Sequence, residues 1–448
     1  MTGTKTVRLT TPVSIAPLVT FRITFGLLMF VSLLRFWWRG WVTDVYVLPE
    51  FHFTYQGFEW VKPLGNTGMH ILFLIVLAAS LMIAAGFLYR LAAVAFFLGF
   101  TYIELIDVTT YLNHYYFISL VAFIMIWLPA NRRYAVDVLL KPAGRRTEVP
   151  AWCIGILIFQ ISIVYIFAGL AKVNSDWLLD AQPMRTWLPA KTHLPVVGPW
   201  MYAPWVAYLF SWFGAIYDLF IVFFLLNRRM RPYAYAVVLL FHVATAIFFP
   251  GIGMFPYVMM TASLVFFSGE FHERLLGYLP GYSLKPGEGT AYKYSRQKIF
   301  LAAMAIYMIL QILIPLRFLL YPGHLFWHEE GYRFSWRVML MEKAGTAYFT
   351  VKDAHHREQY VVNNAEFLTP LQEKMMSTQP DMILKYAHHL ATEYKKRGVN
   401  QPEVYGEIYV ALNGQRSRLF VDSLVNLAAQ PVSWKHYTWV LSYKKLAQ

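Results

Sequence analysis

The chain is a succession of apolar runs of membrane length, and this limits its possible folds more than any other feature. Residues 69–88 read MHILFLIVLAASLMIAAGFL, with no Asp, Glu, Lys or Arg. Crossing the hydrocarbon core of a bilayer takes about 20 residues of helix. Comparable runs cover 17–38, 91–105, 114–128, 151–170, 204–226, 233–249, 254–267 and 299–320. In lipid only a helix or a closed barrel satisfies its own backbone polar groups. Continuous runs, without strand-like alternation, therefore predict an α-helical polytopic membrane bundle of about nine spans. Composition agrees: 58% of residues are hydrophobic and 14% charged, against roughly a quarter charged in soluble domains.

The distribution of charge orients the bundle. The net charge is +14, carried by separate inter-helix segments and not by one block, which argues against a nucleic-acid surface. Lys5 and Arg8, the Arg90 turn, the 131–150 loop, the Arg228–Arg231 turn and the 269–297 loop alternate with charge-poor loops. The positive-inside rule puts the basic set in the cytoplasm. Nine spans then leave the C-terminus on the other side. Residues 324–448 are far more polar. GTAYFTVKD and REQYVVNN read as paired strands, and 372–397 as helix interrupted at Pro380. EIYVALNGQRSRLFV reads as a hairpin turning at Asn413-Gly414. The expected organisation is a membrane bundle over 1–323 and a C-terminal α+β extramembrane domain over 324–448, on the non-cytoplasmic side.

Against this frame one stretch stands out. Residues 161–177 read ISIVYIFAGLAKVNSDW, an apolar helix delivering Lys172. The ordinary reading is a snorkelling anchor with its ammonium among the headgroups. The sharper one is an amine in a half-desolvated pocket, where burial disfavours the charged form and the lone pair can act as a base. The topology puts Lys172 and His114 at the outer boundary, with His242 deeper but reachable from the same side. Ionisable groups inside a membrane are functional candidates by default. They include Arg22 and Asp218, for which an intrahelical pair or a backbone cap is at least as expected a role. Cys153 is the single cysteine, which excludes an intramolecular disulfide and a cysteine-based metal site. His328-Glu329-Glu330 begins like a zinc-protease motif, but its second histidine is missing. GIGMFP joins two membrane helices and does not follow a strand, and no phosphate-binding loop or nucleophile elbow occurs. The pairs His355-His356 and His388-His389 read as solvated, so no metal is expected. Aromatic residues reach 18%, more than two interfacial belts need, which suggests an aromatic-lined interior. An amine, an imidazole and an amide around such a cavity suit a lipophilic reactant with an acidic proton. A hydroquinone fits, with phenolic groups ionising near about 10, as tyrosine does.

Several motifs carry a resemblance. VYIFAGLAKVNSDW, YLNHYYF and FHVATAIFFPGIGMFPYVMM, with GYRFSWRVML and the hairpin EIYVALNGQ…RLFV, resemble segments of vitamin K-dependent γ-glutamyl carboxylase, in the same order and on the corresponding spans. The chain looks like a bacterial-type member, and the resemblance runs from about Phe21 to near the C-terminus. It implies an integral membrane enzyme, here of a bacterial inner membrane, that oxidises vitamin K hydroquinone to its epoxide with O2 and couples this to the addition of CO2 to a protein glutamate. It implies that Lys172 deprotonates the hydroquinone and His114 assists carboxylation. Asn113, His242 and Phe255 would sit in the quinone pocket, with Tyr332, Trp336 and Met339 near the entering glutamate. The implied partners are a glutamate-containing protein or peptide, the lipophilic quinone and the bilayer. Where the animal motif has two adjacent lysines, this chain has Ala171-Lys172, one candidate base. The long luminal extension of the animal enzymes is absent from the sequence. A quinone epoxidase without peptide carboxylation, and a non-catalytic transporter or receptor on the same bundle, are the alternative expectations.

Overall fold

A computed structural model describes residues 9–281, 290–354 and 358–443. Lys5, Arg8 and the His355-His356 pair lie outside these residues, as does part of the 269–297 loop. The long helices are α1 (Ala16–Trp38), α2 (Gly65–Ala85), α3 (Tyr89–Ile106), α4 (Asn113–Trp127), α5 (Trp152–Ala171), α6 (Pro204–Leu226), α7 (Arg231–Phe248), α8 (Phe255–Ala262) and α9 (Gln297–Leu316). Seven of them are long and apolar enough to cross a membrane. The other two, α4 and α8, were counted among the nine expected spans and fold as shorter apolar helices. The 15 residues of α4 span about 22 Å at 1.5 Å per residue, less than the hydrocarbon thickness. Extended backbone at Leu112 and Leu128 ends α4 on both sides. Helix α8 passes into a 3-10 turn, Ser263–Phe266.

Helices α1, α2, α3 and α4 pack in sequence, α5 lies against α6, and α7 joins α6 to α8. The bundle core includes Phe25, Phe73, Phe96, Phe117 and Tyr165. Helix α9 buries little beyond Gln311 and Pro315, so its apolar surface is left for lipid.

The C-terminal region carries a four-stranded antiparallel sheet of β1 (Lys343–Asp353), β2 (Gln359–Val361), β3 (Pro402–Leu412) and β4 (Arg418–Leu419), in the order β2-β1-β3-β4. Ala347, Phe349 and Val351 of β1 point inward at period two, while Tyr348 faces out. The β3–β4 turn is Asn413-Gly414, both at positive φ, the conformation this pair favours in tight hairpins. Pro380 begins α10 (Pro380–Lys396) after the short helix Pro370–Met376. Ile383, Ala387 and Leu390 of α10 are buried, in an apolar cluster that also takes in Phe53 and Trp177 from the bundle side.

Polar ties fix the C-terminal region on the bundle. Gln372 Nε2 donates to Phe51 O at 2.7 Å and to Asp107 Oδ2 at 3.0 Å. Asn413 Nδ2 donates to Asp176 Oδ2 at 2.8 Å, and Lys385 donates to Thr54 O. These contacts hold the bundle-side residues Phe51, Thr54, Asp107 and Asp176 against the helix Pro370–Met376, α10 and the β3–β4 turn.

Candidate functional site: a buried amine where two cavities meet

Lys172 caps the C-terminus of α5. Its side chain does not snorkel toward lipid. The residue is buried, and Nζ donates to Asp218 Oδ2 of α6 at 2.7 Å and to Ala168 O at 3.3 Å. The Trp177 ring lies 5.3 Å from Nζ, within cation–π range. Local sequence explains the meeting. A Cβ on Gly169 would stand 2.6 Å from Leu219 N, so only glycine lets α5 and α6 approach this closely, as small residues do between membrane helices. Beyond Lys172, Asn174 Oδ1 accepts from Trp177 N at 3.0 Å and starts a short helix, Ser175–Leu178. Trp177 Nε1 donates to Ser211 O at 2.7 Å, fixing the indole over the amine. The expected intrahelical pair or cap for Asp218 is not what forms: its carboxylate reaches across to the neighbouring helix. Arg22 does bond backbone, donating to Tyr134 O.

The amine faces a cavity of about 320 Å³ with aromatic walls, among them Phe210, Phe213, Phe241, Phe248 and Phe255. His242 lines it too. Tyr165 Oη lies 3.0 Å from His242 Nε2, and Nδ1 has no partner among the described residues. A larger crevice of about 940 Å³ lies alongside, lined by Asn113, His114 and Tyr332 with polar and basic side chains such as Lys191, Glu342 and Lys374. Cavity and crevice share Phe249, Ile252, Phe255, Val338 and Met339. Phe255 stands between the two histidines, its centroid 6.1 Å from His114 and 5.9 Å from His242. The 250–253 turn completes this wall, with Gly253 at φ 68°.

Seven of the eight residues expected at the site from sequence therefore line one or both spaces. Lys172 and His242 face the cavity, and Asn113, His114 and Tyr332 the crevice, with Phe255 and Met339 at the junction. The structure does not bring Trp336 to either. Its indole is fully buried and stacks on Tyr116 at 4.9 Å. Asn113 is a brace as well as a lining residue: Nδ2 donates to Arg337 O at 2.9 Å, and Tyr111 Oη donates to its Oδ1 at 3.0 Å. The 331–341 loop it braces holds Phe334, Trp336 and Met339 at positive φ. Each such non-glycine residue costs about 1–3 kcal/mol, which the surroundings must over-determine.

Behind the crevice, Arg333 forms a bidentate pair with Asp381, at 2.6 and 3.2 Å. Burial alone would push the Asp381 carboxyl up, but the charge and hydrogen bonds of Arg333 outweigh it and hold it below its usual value. Burial pushes the Lys343 ammonium down, partly offset by Glu329 at 2.8 Å. Sequence reasoning missed Tyr165, Trp177 and Lys343. Of these, Tyr165 and Trp177 sat in the 161–177 stretch already singled out, and Lys343 lay outside every motif.

Residues 10–271 match the HTTM domain, and residues 296–446 match the vitamin K-dependent gamma-carboxylase lumenal domain. No solved structure matches the chain. The matches meet across the site, since Lys172, Asp218, His114 and His242 fall in the first and the 331–341 loop in the second. With both segments present in one chain, and in this order, the protein belongs to the vitamin K-dependent gamma-carboxylase family.

Proposed function

We propose that this protein is a membrane carboxylase that uses vitamin K hydroquinone, O2 and CO2 to γ-carboxylate glutamate in a peptide, with Lys172 as the base on the hydroquinone. One observation carries the proposal: a buried amine in an aromatic cavity that opens, through five shared residues, into a polar crevice holding Asn113 and His114. A fused aromatic ring suits the cavity walls and an acidic O–H suits the amine. The crevice is polar enough to admit a peptide side chain. The hydroquinone supplies the reducing chemistry with O2 that drives proton removal from glutamate.

The chain's own residues then have distinct tasks. Lys172 accepts a proton only in its amine form. Asp218, 2.7 Å away, is placed to take a proton from Nζ and leave its lone pair to the hydroquinone hydroxyl. The Trp177 ring and the α5–α6 contact keep Nζ aimed into the cavity. His242, fixed by Tyr165, orients the ring, and Phe255 separates the quinone from the crevice. On the crevice side His114 assists carboxylation and Asn113 holds the 331–341 loop, where Tyr332 and Met339 meet the glutamate. In this reading residues 1–323 form the membrane bundle, with the two shorter helices completing nine passes, and residues 324–448 form the external domain. The site lies on the non-cytoplasmic side of a bacterial inner membrane.

The test is Lys172→Ala in membranes or nanodiscs given reduced vitamin K and O2. Wild type should form epoxide and the variant none; equal epoxide from both removes Lys172 as the base. Isotope-labelled CO2 and a glutamate-containing peptide test the second half. Epoxide without label in the peptide would leave an epoxidase that does not carboxylate that peptide. Quinone binding without any turnover would leave a transporter or receptor.

A further inference from the structure

A second membrane-level cavity, of about 680 Å³, lies on the other wall of the bundle, lined chiefly by α3 and α4 with Ile314 of α9. Its lining is aromatic, including Phe97, Tyr115, Tyr116 and Phe123, and Trp434 of the C-terminal region contributes at the outer end. One carboxyl interrupts these walls. Glu104, on the last turns of α3, accepts from Ser119 Oγ at 2.7 Å through Oε2. Thr101 Oγ1 donates in turn to Ser119 Oγ at 3.3 Å. Glu104 Oε1 is sealed from solvent and has no partner among the described residues. An unmet buried polar atom costs about 1–3 kcal/mol, and a groove facing lipid has no bulk water to relieve it.

We infer that this cavity is a binding site for a lipid with an apolar body and a hydroxyl head, an aliphatic or phenolic alcohol, whose O–H donates to Glu104. The aromatic walls take the body. The terminal torsion of a glutamate is broad, so a small rotation presents Oε1 to the head group while Ser119 keeps Oε2. A phospholipid acyl chain fills the same volume but offers no donor. The site is distinct from the Lys172 cavity, with which it shares no lining residue. It nevertheless touches the same machinery. Tyr111, in its wall, donates to Asn113 Oδ1 and accepts from Phe334 N at 2.7 Å.

The experiment uses the full chain in phosphatidylcholine nanodiscs with two photoreactive probes, a diazirine-bearing octadecanol and its methyl ether, and maps labelled peptides by mass spectrometry. One hydrogen bond predicts that the alcohol labels the α3 and α4 peptides about tenfold more strongly than the ether. Glu104→Leu should erase that preference, and Lys172→Ala should leave it intact. Leu120→Trp, which fills the groove and spares the carboxyl, should abolish labelling there, so the inference stays testable even if Glu104→Leu misfolds. Equal labelling by alcohol and ether in wild type, as for acyl chains only, overturns the inference. So does a preference that survives Glu104→Leu, or labelling undiminished by Leu120→Trp.

Discussion

The Lys172–Asp218 pair gives the most exacting test of the site. Both side chains are almost wholly buried, at 7% and 8% exposure, so solvent does little to screen them. Lys172→Met leaves a carboxylate facing an aromatic cavity, and Asp218→Leu leaves an ammonium there. Removing one partner of a buried pair costs about 3–5 kcal/mol, because the survivor is left uncompensated. Replacing both with apolar residues of similar volume is often neutral or stabilising, by about 1–4 kcal/mol. The double variant should therefore be more stable than either single one. The coupling should exceed about 3 kcal/mol, the lower end of that single-variant penalty. Reversible unfolding in mixed micelles, followed by tryptophan fluorescence, measures all four corners of the cycle. Epoxide formation should vanish in every variant, the stable double one included. That separates loss of chemistry from loss of fold. Additive destabilisation, with the double variant weaker than both singles, would mean that the two groups do not share a proton or a charge. The account of how Lys172 is held would then be wrong.

Other perturbations reach different parts of the site. Gly169→Ala puts a methyl group 2.6 Å from Leu219 N, and the overpacking should cost about 1–3 kcal/mol. It should also lower epoxide formation by parting the amine from Asp218; unchanged activity and stability would show that the helices yield freely. His114→Ala should retain quinone epoxidation and lose labelled CO2 uptake into peptide, and loss of both together would move His114 to the quinone half. Asp381 carries an acid-side signature. Its carboxyl lies below its ordinary value when folded, so its contribution is complete above the unfolded value of about 3.9 and is lost as pH falls through the lower folded value. Arg333→Leu leaves burial opposed only by Lys385 and the Met382 N–H, and acid unfolding followed by circular dichroism should then begin at higher pH. An unshifted acid limb would show that Arg333 does not set the Asp381 charge.

What could be read from sequence follows from how locally each feature is encoded. Membrane-length apolar runs mark a helix whatever its neighbours, and seven of the long helices fall where they were read. The two shorter helices show the limit of that reading. Residues 114–128 were read at nearly the observed bounds, and α4 opens at Asn113 beside a turn held by Asp107, which accepts from Thr109 N at 2.9 Å. Hydropathy marks such a run, but its 15 residues fall short of the roughly 20 that a bilayer crossing takes. The hairpin at Asn413-Gly414 was legible because its turn chemistry lies within two residues. That Asn413 also reaches Asp176, 237 positions away, was not, since nothing near either residue specifies the other.

The site divides along the same line. That the stretch ending at Lys172 and the Asn113-His114 pair come to neighbouring spaces was anticipated from sequence. How Lys172 is held was not, and the partner decides what the lysine can do. A lone charge in an apolar helix reads as needing a nearby counter-charge, and the nearest in sequence for Asp218 lie in the basic turn at Arg228. The structure instead brings Lys172 to it from 46 positions away, because Gly169 removes the Cβ that would keep α5 and α6 apart. The glycine, the lysine and the aspartate thus form one device. The glycine sets the spacing and the aspartate accepts a hydrogen bond from Lys172 Nζ. The cavity beside them is apolar and aromatic-walled, which suits the proposed proton transfer from a hydroquinone to Lys172.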